Sequence, residues 1–412
     1  MDYWFFSFGC VAIWIYTNQT QKASKGKVGF AIGIKTDNPD QQLKIKRDFV
    51  EALKELLNKS KHRYSFDFIE IQDHIIEKID SPDAATKILY DLNCAFMIYG
   101  KARTVTLKSQ TQHVLNLEGV VAHKPIASEI SKSFSKEFAD LFPRRLMISS
   151  EGDLFHFEFT ASWVNVVSKY IIGIAALLSG DVEYAQELFE SLQVTLREGK
   201  AELPVSIKIR ERLPNRLREV YLIRARMHYE DWKRTKDVSD MEKMKPFLDS
   251  LDRISPTNAD GRILRSMWYF VVSRDTVKAK AECLKTKSKL NVTWRYNLAF
   301  LLAYEGDLEK SSKEYKLASR GFIPYPSFIF EIVEFILWVL DTEPDRKQLY
   351  FCLGMIYYYV IEDYALALQD FEKFLEETSS TQFIVQRAKA ENIISEIQKD
   401  IQSGKIKLEY QA

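Results

Sequence analysis

The stretch Tyr170–Leu192, YIIGIAALLSGDVEYAQELFESL, predicts two short helices that meet at a turn. Small residues fall where the two helices must touch, and Gly180 can take the positive φ that ends the first helix. Leucine and phenylalanine side chains supply an apolar stripe at helical spacing. A single hairpin of this size cannot bury both of its faces, so the stretch predicts that copies follow it along the chain.

Two later stretches of the chain repeat this spacing. In each, a residue on a first helix is followed after seven residues by the turn, after five more by a residue on the second helix, and after four more by a large apolar side chain. Small residues let the helices approach, and the large side chain fills the space between them. The three sets are Gly173, Gly180, Ala185 and Phe189; Ala299, Gly306, Ser311 and Tyr315; and Met355, Glu362, Ala367 and Phe371.

This pattern resembles the tetratricopeptide repeat (TPR) family. The resemblance implies an all-α solenoid over residues 161–403, with three clear repeats, two or three degenerate ones, and a polar terminal helix over Gln382–Gln402 that caps the stack. The degenerate pairs are 217–232 with 241–251, and 260–272 with 276–287.

In that family the first helix of each pair lines a concave groove, which binds a peptide or helix of a partner protein. For this chain the resemblance implies a partner-binding groove at Tyr296, Asn297, Phe300, Tyr304 and Tyr359. The basic residues with which some members hold a terminal carboxylate do not appear at matching positions. The alternative is that another part of the chain fills the groove, since apolar helical stripes are usually core.

One segment of the predicted solenoid, Phe322–Leu340, is unusually apolar and aromatic. Glu331 and Glu334 interrupt it, which argues against a membrane span. We expect this segment to pack within the array, and a self-association surface is the alternative.

Residues 27–160 alternate between strand and helix patterns and predict a mixed α/β domain, so the fold class is α+β: a small N-terminal α/β domain followed by the all-α array. The predicted strands are Val28–Ile34, Tyr64–Ile71, Cys94–Tyr99, 102–108, 113–121 and Leu154–Phe159, and the predicted helices are 40–58, Pro82–Leu92 and Ser128–Leu141.

The element order of this domain resembles the small module that precedes repeat arrays in some bacterial regulators and the N-terminal domain of the Tol-Pal propeller protein. Residues 91–104 and 113–123 carry the likeness: a buried strand ends at a glycine and leads into a hairpin. The resemblance implies a binding or docking unit.

The N-terminal segment 1–17 contains Tyr3–Tyr16, YWFFSFGCVAIWIY, which has no charge and aromatic residues at both ends. It predicts a membrane anchor, followed by a linker at 18–26, with the body held in the cytoplasm by the lysines that follow. A helix of this length spans only about 21 Å against a hydrocarbon core of about 30 Å, so a packed helix in a soluble cytoplasmic protein is the alternative. Residues 404–412 are expected to form a C-terminal tail.

Composition and motifs exclude several function classes. The net charge of +1 gives no global field for nucleic acid, and the four cysteines are far apart. No GxGxxG, GxxxxGK[ST] or HExxH motif occurs, so we expect no cofactor, no metal and no catalytic residue. A prediction of enzymatic function would rest on generic aspartates and glutamates alone.

The sequence therefore predicts a non-enzymatic scaffold or adaptor, tethered to a membrane through residues 3–16, that binds protein partners through the groove. The alternative is a regulator whose α/β domain binds a small molecule or a second protein and relays the signal through the array. The oligomeric state is not indicated.

Overall fold

The computed structural model divides the chain into two compact units, Met1–Ile223 and Arg224–Ala412. The described residues are 21–24, 28–36, 50–51, 54–55, 66–79, 81–107, 110–121, 141, 146–149, 153–198, 204–288, 292–321 and 327–405.

The first unit contains a five-stranded mixed sheet with the order β2-β1-β3-β4-β5. Strand β1 is parallel to β2 and β3, while β4 is antiparallel to β3 and β5. The consecutive residues Phe30, Ala31 and Ile32 of β1 are all buried although their side chains alternate between the two faces of the sheet, so both faces are covered at this strand, which explains its apolar run. The strands are β1 (Val28–Thr36), β2 (Phe66–Glu70), β3 (Phe96–Leu107), β4 (Gln110–Val121) and β5 (Leu146–Ser149).

Two short helices, α1 (Asp73–Ile76) and α2 (Pro82–Asp91), follow β2. Helix α2 begins with proline in its first turn, and the Ser81 hydroxyl accepts a hydrogen bond from the Ala84 backbone N–H at 3.2 Å. Buried side chains of both helices, Leu89 among them, join those of the sheet in one apolar core. In the described part of this domain, the α/β pattern of the sequence thus corresponds to helices packed on a mixed sheet.

Most described elements of this unit agree with the sequence. The strands at Val28–Ile34 and Tyr64–Ile71 and the helix from Pro82 are confirmed. The predicted strands Cys94–Tyr99 and 102–108 are one continuous strand, β3. Strand β5 was not predicted. The predicted helices 40–58 and 128–141 lie almost wholly outside the described residues.

The predicted strand at Leu154–Phe159 is wrong. These residues belong to helix α3, Asp153–Ser179. Alternation over six residues is too short to decide between strand and helix, and no glycine or proline separates the run from the helical pattern that follows. The helix therefore begins before the position that the period-two pattern indicated.

Helices alone follow in the described chain from residue 153 onward. They are α3 (Asp153–Ser179), α4 (Val182–Glu198), α5 (Pro204–Thr235), α6 (Val238–Ile254), α7 (Ala259–Ser273), α8 (Thr276–Leu284), α9 (Thr293–Tyr304), α10 (Leu308–Ala318), α11 (Ser327–Thr342), α12 (Leu349–Ile356) with a π-helical extension (Tyr357–Ile361), α13 (Tyr364–Glu377) and α14 (Ile384–Gln402).

Five helical hairpins, α3/α4, α5/α6, α7/α8, α9/α10 and α12/α13, share one turn. The residue before the second helix is aspartate, and its carboxylate accepts a hydrogen bond from a backbone N–H of the first turn. The residue before that aspartate is left-handed, which ends the first helix. These left-handed residues are Gly180 (φ 84°), Lys236 (59°), Arg274 (53°), Gly306 (90°) and Glu362 (60°).

Close contact within two hairpins depends on glycine. A Cβ on Gly173 would lie 2.5 Å from a ring carbon of Phe189, and one on Gly354 would lie 2.7 Å from the ring of Phe371. Both phenylalanines occupy the large apolar position of the repeated spacing. The small position of the last hairpin is therefore Gly354, and its assignment to Met355 from the sequence is wrong by one residue.

The displacement has a local cause. The π-helix Tyr357–Ile361 lies between Gly354 and the turn residue Glu362. A π-helical turn holds one more residue than an α-helical turn, so the small residue lies eight positions before the turn instead of seven.

The predicted fold class is confirmed: a small mixed sheet near the N-terminus is followed by a helical array. The domain boundaries at residues 160 and 403 stay predictions. The prediction of a transmembrane helix is corrected, because within the described part of the chain every helix is too short or too polar to cross a membrane. The segment 3–16, on which that prediction depended, lies outside the described residues.

Candidate protein-interaction groove

The first helices of three successive hairpins, α5, α7 and α9, surround a cavity in the second unit. In α9, successive turns place Tyr296 and Phe300 on the same side, because residues four apart lie on one face of a helix. Arg226 of α5 donates a hydrogen bond to Asp260 of α7 at 2.8 Å and joins these two helices at the rim. First helices thus supply one side of the groove, as the repeat pattern implied.

Helix α11 supplies the other side of the cavity. Its Phe335 ring lies 5.7 Å from Trp232 of α5, 5.7 Å from Phe270 of α7 and 5.1 Å from Phe300 of α9, measured between ring centroids. The ring of Phe328, at the N-terminal end of the helix, has its centroid 5.9 Å from that of Tyr296. The described part of the predicted apolar segment, residues 327–340, packs within the array and lies across the first helices.

The space that α11 leaves open has a volume of about 460 Å³, within the range of ligand-binding cavities. Arg226 and Asp260 line it, and their side chains are 52% and 54% exposed, so the cavity reaches solvent. Six aromatic side chains contribute to its walls: Tyr229, Phe270, Tyr296, Phe300, Phe328 and Phe335.

A shared lysine organises the charges of α5 and α11. Lys233 Nζ lies 2.7 Å from Glu230 and 3.7 Å from Glu331 of α11. Burial raises the pKa of the Glu331 carboxyl above its usual value, although Lys233 opposes the shift. Burial disfavours the charged form of Lys233, yet its pKa is raised overall by the hydrogen bond with Glu230 and the charge of Glu331.

The far end of α11 is fixed by a second charged cluster. The Glu343 carboxylate accepts hydrogen bonds from Arg274 Nε and the Tyr304 hydroxyl, both at 2.6 Å. Burial opposes ionisation of Glu343, but these donors lower its pKa overall. The Arg274 guanidinium also lies 5.0 Å from the centre of the Trp338 ring. Several contacts therefore hold the C-terminal end of α11.

The structure brings together three of the five groove residues predicted from the sequence. Tyr296, Asn297 and Phe300 line the cavity. Tyr304 packs against Phe270 with ring centroids 4.8 Å apart and holds Glu343, and it does not line the cavity. Tyr359 lies in the π-helix beside Tyr358. The role of these residues in partner binding stays a prediction.

The sequence did not indicate the contributions of α5, α7 and α11 to this site. The α5/α6 and α7/α8 hairpins correspond to the predicted degenerate pairs 217–232 with 241–251 and 260–272 with 276–287, but no groove residue was assigned to their first helices. No group of three or more histidine, cysteine, aspartate or glutamate side chains within the described ranges could hold a metal ion.

Comparisons with known proteins give little further information. No protein-family model matches the chain, and no curated protein matches it. Among solved structures, one titled "Crystal Structure of the Yeast Tom70" matches with 13% identity and a TM-score of 0.24. The match covers 68% of this chain and 62% of that chain, so less than two thirds of the other protein is spanned. The described residues from 153 onward form helical hairpins, and the assignment of the chain to the tetratricopeptide family stays a prediction.

Proposed function

We propose that the second unit is a protein-interaction module of the tetratricopeptide type, which binds an apolar segment of a partner protein in the cavity between α5, α7, α9 and α11. The observation that carries the proposal is the aromatic cavity of about 460 Å³ on the first-helix side of three hairpins. Aromatic and aliphatic walls favour an apolar guest, because burial of its surface drives binding.

Helix α11 supports this assignment by its own packing. It is an apolar amphipathic helix, and Phe335 and Trp338 pack on Trp232 at centroid distances of 5.7 and 4.9 Å. The groove therefore already accommodates one apolar helix of the chain itself. A partner segment in the neighbouring cavity would continue the same mode of contact.

A selection experiment tests the proposal. A phage-displayed library of random peptides about 12 residues long is panned on the full chain, and the strongest binder is then synthesised. We expect Met267→Trp and Ile263→Trp, which place an indole in the cavity, to weaken binding of that peptide by about tenfold or more, or about 1.4 kcal/mol. Fluorescence polarisation gives the affinities.

Val385→Trp is the matched control, because Val385 is exposed on α14 in the same unit. It is expected to leave the affinity unchanged. Far-UV circular dichroism establishes that each variant is folded. Binders that tolerate both cavity-filling substitutions, or a selection that returns no binder, would contradict a partner site in this cavity.

The alternative function, ligand sensing through the sheet of the first unit, stays a prediction. A thermal-shift screen of small molecules on the full chain addresses it. A stabilising compound that protects amides of β1–β3 from hydrogen exchange would favour the sensor.

A further inference from the structure

The charges around the cavity are not balanced. Arg226 and Asp260 form one ion pair across the rim. Glu230 and Glu331 share a single cation, Lys233. Three carboxylates therefore face two cations, and one negative charge of the cavity has no matching positive charge among these groups.

The surplus negative charge is centred on Glu331. Its carboxyl is partly buried between α5 and α11 and lies 3.7 Å from Lys233, which contacts Glu230 more closely at 2.7 Å. Glu230 and Glu334 are further negative groups that act on Glu331. A carboxylate in this position is stabilised by a second cation, since removal from water penalises its charge.

The walls of the cavity suit a cation with an apolar stem. Aromatic faces attract ammonium and guanidinium groups, and they also bury the methylene groups of a lysine or arginine side chain. Six aromatic side chains form these walls, and the cavity opens to solvent at Arg226 and Asp260.

Resting on the function proposed above, we propose that the partner segment carries a lysine or arginine beside apolar residues, with its cationic group held by Glu331 and Glu230. The aromatic walls contact the stem of that side chain and its apolar neighbours. Acidic segments are rejected, because they would add to the negative charge of the cavity.

The peptide selection described above gives the first test. Among binders that compete with one another on the full chain, we expect lysine or arginine next to an apolar residue to be enriched over the unselected library, and acidic residues to be depleted. The synthetic peptide is then compared with a copy in which that lysine is replaced by norleucine, which keeps the apolar stem and loses the charge.

We expect the norleucine peptide to bind about tenfold more weakly than the lysine peptide, and Glu331→Gln to bind the lysine peptide about tenfold more weakly than the natural chain does. On Glu331→Gln the two peptides should bind within about twofold of each other, because the charge pair is already lost. Glu391→Gln, at an exposed position of α14 in the same unit, is the matched control and should change the affinity by about twofold at most.

The outcomes separate the two proposals. If both peptides bind the natural chain equally but Met267→Trp still abolishes binding, the apolar groove stands and the cationic specificity is wrong. If binding is insensitive to the cavity-filling variants, the groove itself is wrong. A preference for lysine that persists on Glu331→Gln would also overturn the assignment of the cation to Glu331.

Discussion

The hairpins α9/α10 and α12/α13 carry the same repeated spacing in the sequence, but they reach their turns differently. Helix α9 ends at Tyr304, and after Glu305 the chain turns at Gly306, whose φ of 90° suits glycine. Helix α12 widens into the π-helix Tyr357–Ile361 and ends at Glu362, a left-handed residue with a side chain. The comparison shows that the turn and the second helix set the repeat, while the first helix absorbs an extra residue without loss of the hairpin.

The largest expected effect tests which residue of α12 is the small one. Gly354→Leu should lower the free energy of unfolding by about 3 kcal/mol, because even a Cβ at this position would lie 2.7 Å from the Phe371 ring. Met355→Leu nearly conserves volume and should cost less than about 1.5 kcal/mol. Urea unfolding of both variants measures the difference. Similar losses for the two would mean that the π-helix does not displace the contact.

A second prediction concerns a charge found in the α12/α13 hairpin. Burial raises the pKa of Asp370 to about 7, although Lys373 one turn away opposes the shift. The folded chain therefore binds the proton of the Asp370 carboxyl more tightly than the unfolded chain does. The stability that the protonated carboxyl contributes is lost as pH rises from about 4 to about 7. Asp370→Asn should be more stable than the natural chain by about 2 kcal/mol at pH 8 and equal to it near pH 4. This figure allows for the partial exposure of the group to solvent.

Thermal or urea unfolding at the two pH values checks this expectation. Asp400→Asn, on the terminal helix α14, is a control with a carboxylate that holds Lys405 at 3.1 Å, and it should not gain stability at pH 8. A stability profile of Asp370→Asn that runs parallel to that of the natural chain would contradict the raised pKa.

The smallest effects are expected from substitutions at the two turn residues, Glu362 and Gly306. Glu362→Gly should stabilise the chain by about 0.5–1 kcal/mol, since glycine adopts a positive φ without steric cost. Gly306→Ala should destabilise it by about 1 kcal/mol for the same reason. Denaturant midpoints of the two variants should therefore move in opposite directions. The reverse pair of shifts, with Gly306→Ala stabilising and Glu362→Gly destabilising, would show that helix propensity outweighs turn conformation.

The sequence identified the turn residue itself where that residue is glycine, as at Gly180 and Gly306. It marked Glu362 only through the spacing, and it did not single out Lys236 or Arg274, because long polar side chains rarely adopt a positive φ and carry no signal of it. The aspartate after each of these residues is the local signal that the sequence did contain.

The candidate site was predictable in part for a physical reason. The apolar face of α9 is visible as a helical period, so Tyr296 and Phe300 could be assigned to the groove. Which segment faces them is a matter of tertiary packing, and no period in the sequence connects α11 with Trp232, Phe270 and Phe300. The alternative that another part of the chain fills the groove is supported by those ring contacts.

The place of α11 between the last two hairpins has a consequence for how the array tolerates change. Helix α12 packs directly against the preceding hairpin: Cys352 lies 3.7 Å from Ser311 of α10, and Gln348 donates to the Ala303 and Tyr304 carbonyls at 3.3 and 3.2 Å. The hairpins α9/α10 and α12/α13 therefore contact each other directly, although α11 lies between them in the sequence. Substitutions on the cavity side of α11 can therefore alter the chemistry of the groove while the hairpins keep their register. The hairpin framework and the binding selectivity of the groove are thus free to vary independently.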